Sequence, residues 1–389
     1  MPLRYLTAGE SHGPALSVIL EGMPAGLSLD EDLIAIDLMR RQTGTGTGER
    51  MSIEKDRAQI LAGVMEGVTT GAPIALQLIN KDHVNWKGKA ISAYITPRPG
   101  HADLAAAVKY GYDDIRPSLE RASARETAAR VAVGAVCRAF LNLFGISVGG
   151  YVISVGDHSA SVDGISFDHR IRRARASDVQ CPDPETAKLI SNAIGKARDA
   201  GETLGGIIEV VAEGVPVGLG SHVNWDRRLD ARLAQAVLGV PAIKGVEIGN
   251  AFGNTRKPGT QAHDAIIPGP DGLARRSNAC GGIEGGISNG QPVWLRAAMK
   301  PIPSTRKGQE TVNLATGATT LSAYERSDVC PVPRAVIVLE AVVAIVIADV
   351  LLEKLGGDSI AEMKTRFSNL RRATLDDVHM TGQPHLFWP

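Results

Sequence analysis

The sequence feature that most constrains the fold is a long apolar run at residues 335–355, which reads AVIVLEAVVAIVIADVLLEKL. A run of this length is long enough to cross a bilayer as a helix. Glu340 and Asp349 lie inside it, however, and an acidic residue at the centre of a membrane span costs about 2.5 to 3.5 kcal/mol. Prolines precede the run and glycines follow it, as at the ends of helices in water-soluble proteins. The run therefore predicts a helix buried in a large protein core, with no membrane partner.

The rest of the chain predicts a mixture of helices and short strands. A second core helix is expected over roughly Ala124 to Phe144, which is nearly apolar on every side from Val131 onward. Further helices are predicted over 30–41, 183–201 and 227–238, and strands over 3–8, 15–21, 72–79, 146–155, 207–212 and 241–249. The elements do not alternate as they would in a doubly wound parallel sheet. This pattern favours the α+β class.

Composition favours one large domain over residues 1–389, because no low-complexity linker or block of like charge divides the chain. Lys plus Arg and Asp plus Glu number 42 each, so no overall positive field attracts nucleic acid or an anionic membrane. The four cysteines include no C-x-x-C pair, which argues against zinc and disulfide scaffolds and for a reducing compartment. The N-terminal residues lack the apolar segment of a signal peptide. We therefore expect a cytoplasmic protein.

One stretch, residues 98–130, concentrates the residue types that carry chemistry. It reads RPGHADLAAAVKYGYDDIRPSLERASARETAAR and places His101 just after a turn-forming Arg-Pro-Gly. A proline-bounded loop then brings Arg121 and Arg125 to the start of the second core helix. An imidazole and several guanidinium groups between two predicted helices are typical of a functional site.

The start of that core helix has two interpretations that are compatible with each other. Ser123 and Glu126 fit the S-x-x-E capping box, in which the serine accepts from the N3 amide and the glutamate reaches back. The unpaired amides of a helix start also bind anions, and Arg121 and Arg125 stand on either side of Ser123.

A second histidine, His12, lies at the tip of a turn between the first two predicted strands. A lone histidine in a loop is most often solvated, but Gly9 and Gly13 flank this one and allow close approach of a backbone or a flat ligand. Farther along, Arg41 and Arg50 flank the glycine run at 43–48. That run lacks the Gly-Lys-Ser/Thr ending of a phosphate-binding P-loop, so it predicts either a flexible lid or a plain surface loop.

Two further segments carry weaker signals. In residues 281–305, Asn289-Gly290 predicts a hairpin turn, and the strand after it ends at Lys300. Asp328 lies close to Arg326, and such a pair is usually an ion pair alone. Asp328 would have a functional role only if the fold brings it close to His12 and His101.

Several motifs, in order and in spacing, together resemble the chorismate synthase family. They are GESHGPAL at 9–16, RPGHAD at 98–103, KYGYDD at 109–114, RASARETAAR at 121–130, AIKGVEIG at 242–249, GGIEGGISNGQP at 281–292, MKPI at 299–302 and RSDVC at 326–330. The similarity extends from about residue 3 to about residue 360. It implies the 1,4-anti elimination of phosphate from 5-enolpyruvylshikimate 3-phosphate to give chorismate, a carbon–oxygen lyase reaction and the last common step of the shikimate pathway.

The resemblance also implies roles for individual positions. Catalytic positions are His12 and His101, which handle protons at flavin and substrate, Asp328 near flavin N5, and Ser11. Positions that match the substrate-clamping arginines are Arg41, Arg50, Arg98 and Arg125. Positions that match FMN contacts are Arg121, Ala122, Ser123, Pro241, Ala242, Gly285, Lys300, Pro301, Ile302, Pro303, Ser304 and Arg326. The family uses reduced FMN, and no metal site is expected.

Two departures from the family pattern lie in the glycine run at 43–48 and at residues 121–123, which read RAS where the family more often has RSS. Thr47 and Glu49 occupy positions that are often basic, and Ala122 replaces a serine. The first weakens the case for a pyridine-nucleotide or second phosphate clamp, and leaves open whether NADPH reduces FMN on this chain or a separate flavin reductase does. The second removes one hydroxyl from the expected flavin site.

The family fold is a helical layer between antiparallel sheets, assembled as a homotetramer, and both features are implied by resemblance. Two other classes remain open from the residues themselves. A flavoprotein that only carries electrons would not need the arginines, and a phosphate-binding regulatory module would not need His12 and His101 as a pair. The tail past residue 360 has no predicted role.

Overall fold

The structure is a computed structural model that describes residues 2–45, 55–270, 272–325 and 327–387. In chain order its strands are β1 Arg4–Ala8, β2 Ala15–Glu21, β3 Ala58–Ala62, β4 Val64–Met65, β5 Val68–Thr69, β6 Ile74–Ile79, β7 Ser147–Val155, β8 His158–Ser159, β9 Gly206–Glu213, β10 Ile243–Ile248, β11 Ile266–Gly269, β12 Gly272–Arg275, β13 Ile283–Glu284, β14 Ile287–Ser288, β15 Val293–Met299, β16 Glu310–Val312 and β17 Thr319–Leu321. Its α-helices are α1 Glu31–Gln42, α2 Asp103–Tyr110, α3 Arg116–Arg121, α4 Thr127–Asn142, α5 Phe167–Arg175, α6 Pro184–Asp199, α7 Leu229–Leu238, α8 Ala251–Asn254, α9 Gly259–Ala262, α10 Val332–Leu355 and α11 Ile360–Ser368. Short 3-10 turns lie at Lys81–Asn85, Ala124–Glu126 and Trp225–Arg227.

A four-stranded antiparallel sheet, in the order β1-β2-β6-β3, forms one outer layer. In β2 the buried side chains Leu16, Val18 and Leu20 alternate with more exposed ones, as expected of a strand that covers a core on one face. The loop between β1 and β2 leaves this sheet at its end and carries His12.

A five-stranded antiparallel sheet, in the order β10-β15-β9-β7-β8, forms the opposite layer. Strand β7 is buried on both faces because helices cover each side. A Cβ added at Gly149 would lie 2.7 Å from Ile171 of α5, and one added at Gly150 would lie 3.2 Å from Val336 of α10. Two successive glycines thus allow helices to approach the strand from opposite sides.

Helices α1, α4, α7 and α10 fill the space between the two sheets. Helix α4 packs on β1, β2 and β6, whereas α10 packs on β7 and β9, and the two helices pack on each other. Their contact is very close, since a Cβ added at Gly134 would lie 2.3 Å from that of Ala341. The predicted α+β fold, with a helical layer between antiparallel sheets, is confirmed.

The acidic residues inside α10 show why this apolar helix belongs to a protein core. Glu340 is fully buried and accepts hydrogen bonds from Arg40, Arg138 and the Gly150 amide. Asp349 pairs with Arg232 and accepts from the Leu3 amide. Burial alone would raise the pKa of Glu340, but the guanidinium groups of Arg40 and Arg138 outweigh it and hold the pKa below its usual value. The predicted buried helix is confirmed, and it extends over Val332–Leu355.

The predicted capping box at the start of the second core helix is wrong in both of its bonds, since it requires the Ser123 side chain to accept from the Glu126 amide, although Ser123 still acts as a cap. Ser123 caps the 3-10 turn by accepting from the Arg125 amide at 3.3 Å. Glu126 does not complete the box, because its carboxylate accepts from the Thr7 hydroxyl at 2.6 Å and pairs with Arg130 at 2.9 Å. Partners from another strand and from the next helical turn have replaced the local bond.

The predicted hairpin at Asn289-Gly290 is also wrong. The hairpin in this region joins β13 to β14 through Gly285 and Gly286, both of which have positive φ. After Asn289 the chain enters β15, which pairs with β9 and β10 in the large sheet. Strand β15 has seven residues, and it pairs there with strands β9 and β10, which are longer than the two-residue β14.

The end of the chain packs on the molecule by backbone bonds. Ser359, before α11, bridges to Ala25, and the Ala373 carbonyl accepts from the Leu273 amide of β12 at 2.6 Å. The segment after α11 therefore contacts the small β11–β12 hairpin.

Candidate functional site

The His12 loop, residues 9–14, is held against α3 by a carboxylate. The Nδ1 atom of His12 lies 2.8 Å from one Glu120 oxygen, and its backbone amide donates to the other at 2.7 Å. The Ser11 amide donates to the Glu120 carbonyl at 3.2 Å, and the Trp86 ring lies 4.4 Å from that of His12. The imidazole is only 15% exposed, so this is not an idle solvated histidine.

Two of the predicted substrate arginines lie together beside this loop. Arg125 donates from Nε to Asn80 at 2.8 Å and from Nη1 to Asp56 at 2.6 Å. The side-chain amide nitrogen of Asn80 in turn donates to the backbone carbonyls of Glu10 and Gly13. Asn80 therefore joins the His12 loop to Arg125 directly.

Arg41, at the end of α1, reaches the same place and is 4% exposed. It donates to the Thr127 hydroxyl at 3.1 Å and to the Ala124 carbonyl at 2.9 Å, while its Nη1 lies 3.6 Å from Asp56. Among the described residues that Nη1 finds no hydrogen-bond acceptor. A buried guanidinium donor of this kind is suited to an anionic ligand.

The charge around Arg41 is unbalanced toward positive. Burial lowers the pKa of Arg41 to about 9, and the neighbouring charges of Arg334 and Arg125 act in the same direction. Asp56 opposes them only in part. Arg41 is still charged at neutral pH, in surroundings that a bound anion would stabilise.

The His101 loop, residues 98–103, forms a second buried ion-pair group. Arg98 donates from Nε and Nη2 to the two oxygens of Asp103 at 2.8 and 3.0 Å. The Nδ1 atom of His101 lies 2.5 Å from the same carboxylate and 3.0 Å from Arg98 Nη2. An ionised carboxylate can only accept, so the short contact to Asp103 assigns a hydrogen to Nδ1, and Arg98 Nη2 then lies beside an N–H rather than a lone pair.

The segment 300–304 lies against the His101 loop. Lys300 donates from Nζ to the Gly100 carbonyl and from its amide to the Ala242 carbonyl, the latter at 3.0 Å. Ala242 itself has a positive φ of 68°, which is rare outside glycine. The predicted positions Pro241, Ala242 and Lys300 to Ser304 are thus brought together with His101.

Asp328 is linked to the backbone of Arg41 through a residue that the sequence did not single out. Arg334 donates to the Asp328 carboxylate and, from Nε, to the Arg41 carbonyl at 2.9 Å. The neighbouring Ser327 hydroxyl donates to the Ser304 carbonyl at 3.1 Å. Ser304, Ser327 and Asp328 also line one small pocket with Arg198, Arg306 and Tyr324. The expected partner Arg326 lies outside the described residues.

The remaining predicted positions divide into three kinds. Arg121 ends α3 and donates to the Thr7 and Gly9 carbonyls at the base of the His12 loop, with Ala122 and Ser123 following it. Gly285 turns the β13–β14 hairpin, and a Cβ added there would meet nothing within 4 Å. Arg50, Thr47 and Glu49 lie outside the described residues.

Sequence reasoning missed the residues that join these groups. Glu120, Asp56, Asn80, Trp86 and Arg334 each contact a predicted site residue. Most of these contacts cross 45 or more positions of the chain. No local spacing in one sequence can reveal them, although Glu120 stands directly before the predicted Arg121.

Comparison with known proteins identifies the family. The model of the family described as chorismate synthase matches residues 3–352. The chain is 50% identical to the chorismate synthase of Geobacter metallireducens over 382 residues, covering 94% of this chain and 97% of that protein. It is 51% identical to that of Desulforamulus reducens over 377 residues, with 94% and 97% covered. A crystal structure of chorismate synthase superposes with a TM-score of 0.79 at 44% identity, covering 95% of this chain and 97% of that chain.

With matches of this extent in sequence and in structure, the chain belongs to the chorismate synthase family.

Proposed function

We propose that this protein is a phosphate lyase that converts 5-enolpyruvylshikimate 3-phosphate to chorismate with reduced FMN as cofactor. The observation that carries the proposal is the buried group of Arg41 and Arg125, which contains more positive than negative charge and is joined to His12 through Asn80. Relatives about 50% identical over nearly the whole chain are named chorismate synthase, which supports the same assignment.

The arginines suit a substrate that carries one phosphate and two carboxylates. Among the described residues, Arg41 and Arg125 both approach Asp56, so an anion between them would be met by two buried guanidinium groups. Arg98 belongs to the His101 loop, where Asp103 already neutralises it. In the proposed complex, Arg41, Arg125 and Arg50 hold the phosphate and carboxylates, and Arg98 holds His101 in place beside the reacting ring.

The residues at the predicted flavin positions fit a flat cofactor. Ala122 and Ser123 are small, Ala242 and the proline-containing segment 300–304 present backbone, and the open face of Gly285 leaves space for a ring. Arg121 and Lys300 supply cationic groups at the two ends of this set. A bound reduced FMN would supply an electron to the substrate and take it back, so that the overall reaction would be redox-neutral.

The chain's own residues handle the protons and the leaving group. The C6 hydrogen of the substrate is not acidified by an adjacent carbonyl, so simple base catalysis is a poor route for its removal. In the proposal His12, Ser11 and Asp328 manage protons on the flavin side, and His101 does so beside the substrate. The arginines stabilise the phosphate as its bond to C3 breaks and negative charge develops.

The proposal includes an assembly and a compartment. The enzyme acts in the cytoplasm as a homotetramer on a small-molecule substrate. Electrons for FMN come from NADPH, either on this chain or through a separate flavin reductase.

A turnover experiment tests the proposal. Under anaerobic conditions, with FMN reduced once by dithionite, we expect many molecules of chorismate and phosphate per flavin. Arg41→Ala should lower this activity strongly, whereas the control variant Arg172→Ala, which changes an exposed arginine on α5, should retain it. Turnover with oxidised FMN alone would indicate a plain lyase, and one reductant consumed per product would indicate a reductase; either result would refute the mechanism. A bound flavin without phosphate release would indicate an electron carrier.

A further inference from the structure

We propose that Glu120 is a positioning residue that fixes the tautomer and the ring orientation of His12. The inference rests on the proposed function, because it assigns Glu120 a part in the proton transfer of His12. It concerns a carboxylate on α3 that none of the sequence motifs pointed to.

The geometry of the pair determines which ring nitrogen carries the hydrogen. Both oxygens of Glu120 lie near Nδ1 of His12, at 2.8 and 3.0 Å. An ionised carboxylate can only accept hydrogen bonds, so Nδ1 must be the donor. In the neutral ring Nε2 is then the nitrogen with a lone pair, which is the atom that accepts a proton in transfer.

Glu120 is ionised in this setting. Burial alone would raise the pKa of Glu120, but hydrogen bonds from the His12 ring and amide and the charge of Arg116 outweigh it and hold the pKa below its usual value. The carboxylate therefore keeps its acceptor character at neutral pH.

Other contacts restrict the ring and the backbone of His12. The Trp86 ring lies at a centroid distance of 4.4 Å and an angle of 48° to the imidazole. Nδ1 of His83 bonds the His12 carbonyl at 2.9 Å, and the His12 amide donates to Glu120 at 2.7 Å. With backbone and ring both held, rotation about the side-chain bonds would break the bonds to Glu120.

Replacement of Glu120 by glutamine distinguishes its role in orienting the His12 ring from its role in supporting the His12 loop. Glu120→Gln keeps the size of the side chain, and the backbone bond from Ser11 to the carbonyl of residue 120 is unaffected. The new amide can either accept from Nδ1–H or donate to an unprotonated Nδ1, so it no longer selects one tautomer.

In steady-state assays we expect Glu120→Gln to lower kcat by about 10- to 100-fold while KM for the substrate changes less than about threefold. Glu120→Asp, which retains a carboxylate, should recover part of the loss. The matched control is Glu209→Gln, which removes a fully buried carboxylate from the large sheet where it pairs with Arg170 and Arg296. That variant should lose stability but keep kcat. An unchanged kcat in Glu120→Gln, or an equal loss in Glu209→Gln, would overturn the proposal.

A second readout needs neither substrate nor FMN. Solid-state 15N NMR of protein labelled in its histidines, with the His12 signals identified by their absence in His12→Asn, reports the tautomer directly. We expect the Nδ1–H form in the wild type and an added Nε2–H population in Glu120→Gln. An Nε2–H form in the wild type would overturn the proposal, even if Glu120→Gln did not fold. Wild-type protein with the expected spectrum but no chorismate production would instead refute the proposed function.

Discussion

His12 and His101 each bond a carboxylate, but the charged groups around the two pairs differ. His12 faces Glu120, which accepts from both the ring and the amide of His12 and also lies near the charge of Arg116. His101 faces Asp103, which Arg98 already neutralises with two bonds, and Arg98 also lies 3.0 Å from the imidazole. The difference teaches that an imidazole–carboxylate pair does not define a role by itself. A cation on His12 would be balanced by its carboxylate, whereas a cation on His101 would stand beside a second positive charge.

The largest expected effect comes from removing either ring. We predict that His12→Ala and His101→Ala each lower turnover by roughly ten- to ten-thousand-fold, the usual range for the loss of a proton-transfer group. Circular dichroism should show that both variants fold. Full activity in one purified variant would show that its histidine takes no part in the proposed proton transfer.

The carboxylates should differ in what they contribute to folding. Asp103→Asn leaves the buried Arg98 without its charge partner, and breaking such a pair costs about 3 to 5 kcal/mol. Glu120→Gln leaves only an imidazole, which can lose its proton, so we expect a smaller loss of about 1 to 3 kcal/mol. Urea denaturation of both variants measures the difference. Equal losses of unfolding free energy in the two variants would show that the charge of Arg98 does not make the Asp103 pair more important for stability than the Glu120 pair.

Acid stability should sharpen the same contrast. Burial alone would raise the pKa of Asp103, but hydrogen bonds from His101 and Arg98 hold the pKa far below its usual value. A carboxylate with a depressed folded pKa adds stability above its unfolded pKa of about 4, and this stability is lost as pH falls through the folded pKa. Between pH 5 and pH 3 the wild type should lose about 1 kcal/mol more than Asp103→Asn, because the loss begins only near the unfolded pKa. Parallel unfolding curves for the two proteins would contradict this assignment.

The smallest effect concerns the aromatic ring over His12. Trp86→Phe keeps a flat apolar side chain against the imidazole but removes the indole N–H that bonds Asp82 at 3.2 Å. We expect kcat to fall less than about threefold, because Phe keeps an aromatic ring against the imidazole and the lost bond to Asp82 does not involve His12. A matched Trp225→Phe change at an exposed indole should have no effect. A tenfold fall in Trp86→Phe alone would place Trp86 in the proton-transfer machinery rather than beside it.

Sequence reasoning succeeded for several features whose information is local, although the turn signal at Asn289-Gly290 was misread. The apolar run before Leu355 predicted α10, and Asp30 predicted the start of α1, where its side chain accepts from the Leu33 amide. The loops that carry His12 and His101 were also predicted, because glycine and proline mark turns wherever they occur.

Prediction failed where distant partners compete with local ones. Glu126 was expected to cap its own helix but bonds Thr7, 119 positions away. Glu120 and Asp56 were not predicted at all, since their partners lie 108 and 69 positions away. An ion pair between two remote segments leaves no spacing rule in a single sequence. The family motifs identified the cations and histidines of the site, and the fold was needed to identify their counter-charges.

The adjacent residues Arg40 and Arg41 have a consequence for how tightly an anion can be held. Arg40 is fastened to Glu340 at the centre of the helical layer, and Arg41, the next residue of α1, reaches Thr127 and Ala124 at the start of α4. The long side chain of Arg41 has therefore lost its freedom during folding, before any ligand arrives. Ordering such a side chain at the moment of binding would oppose association by about 0.5 to 1.5 kcal/mol. The bonds from Arg41 to Thr127 and Ala124 would thus favour the binding of an anion there through entropy.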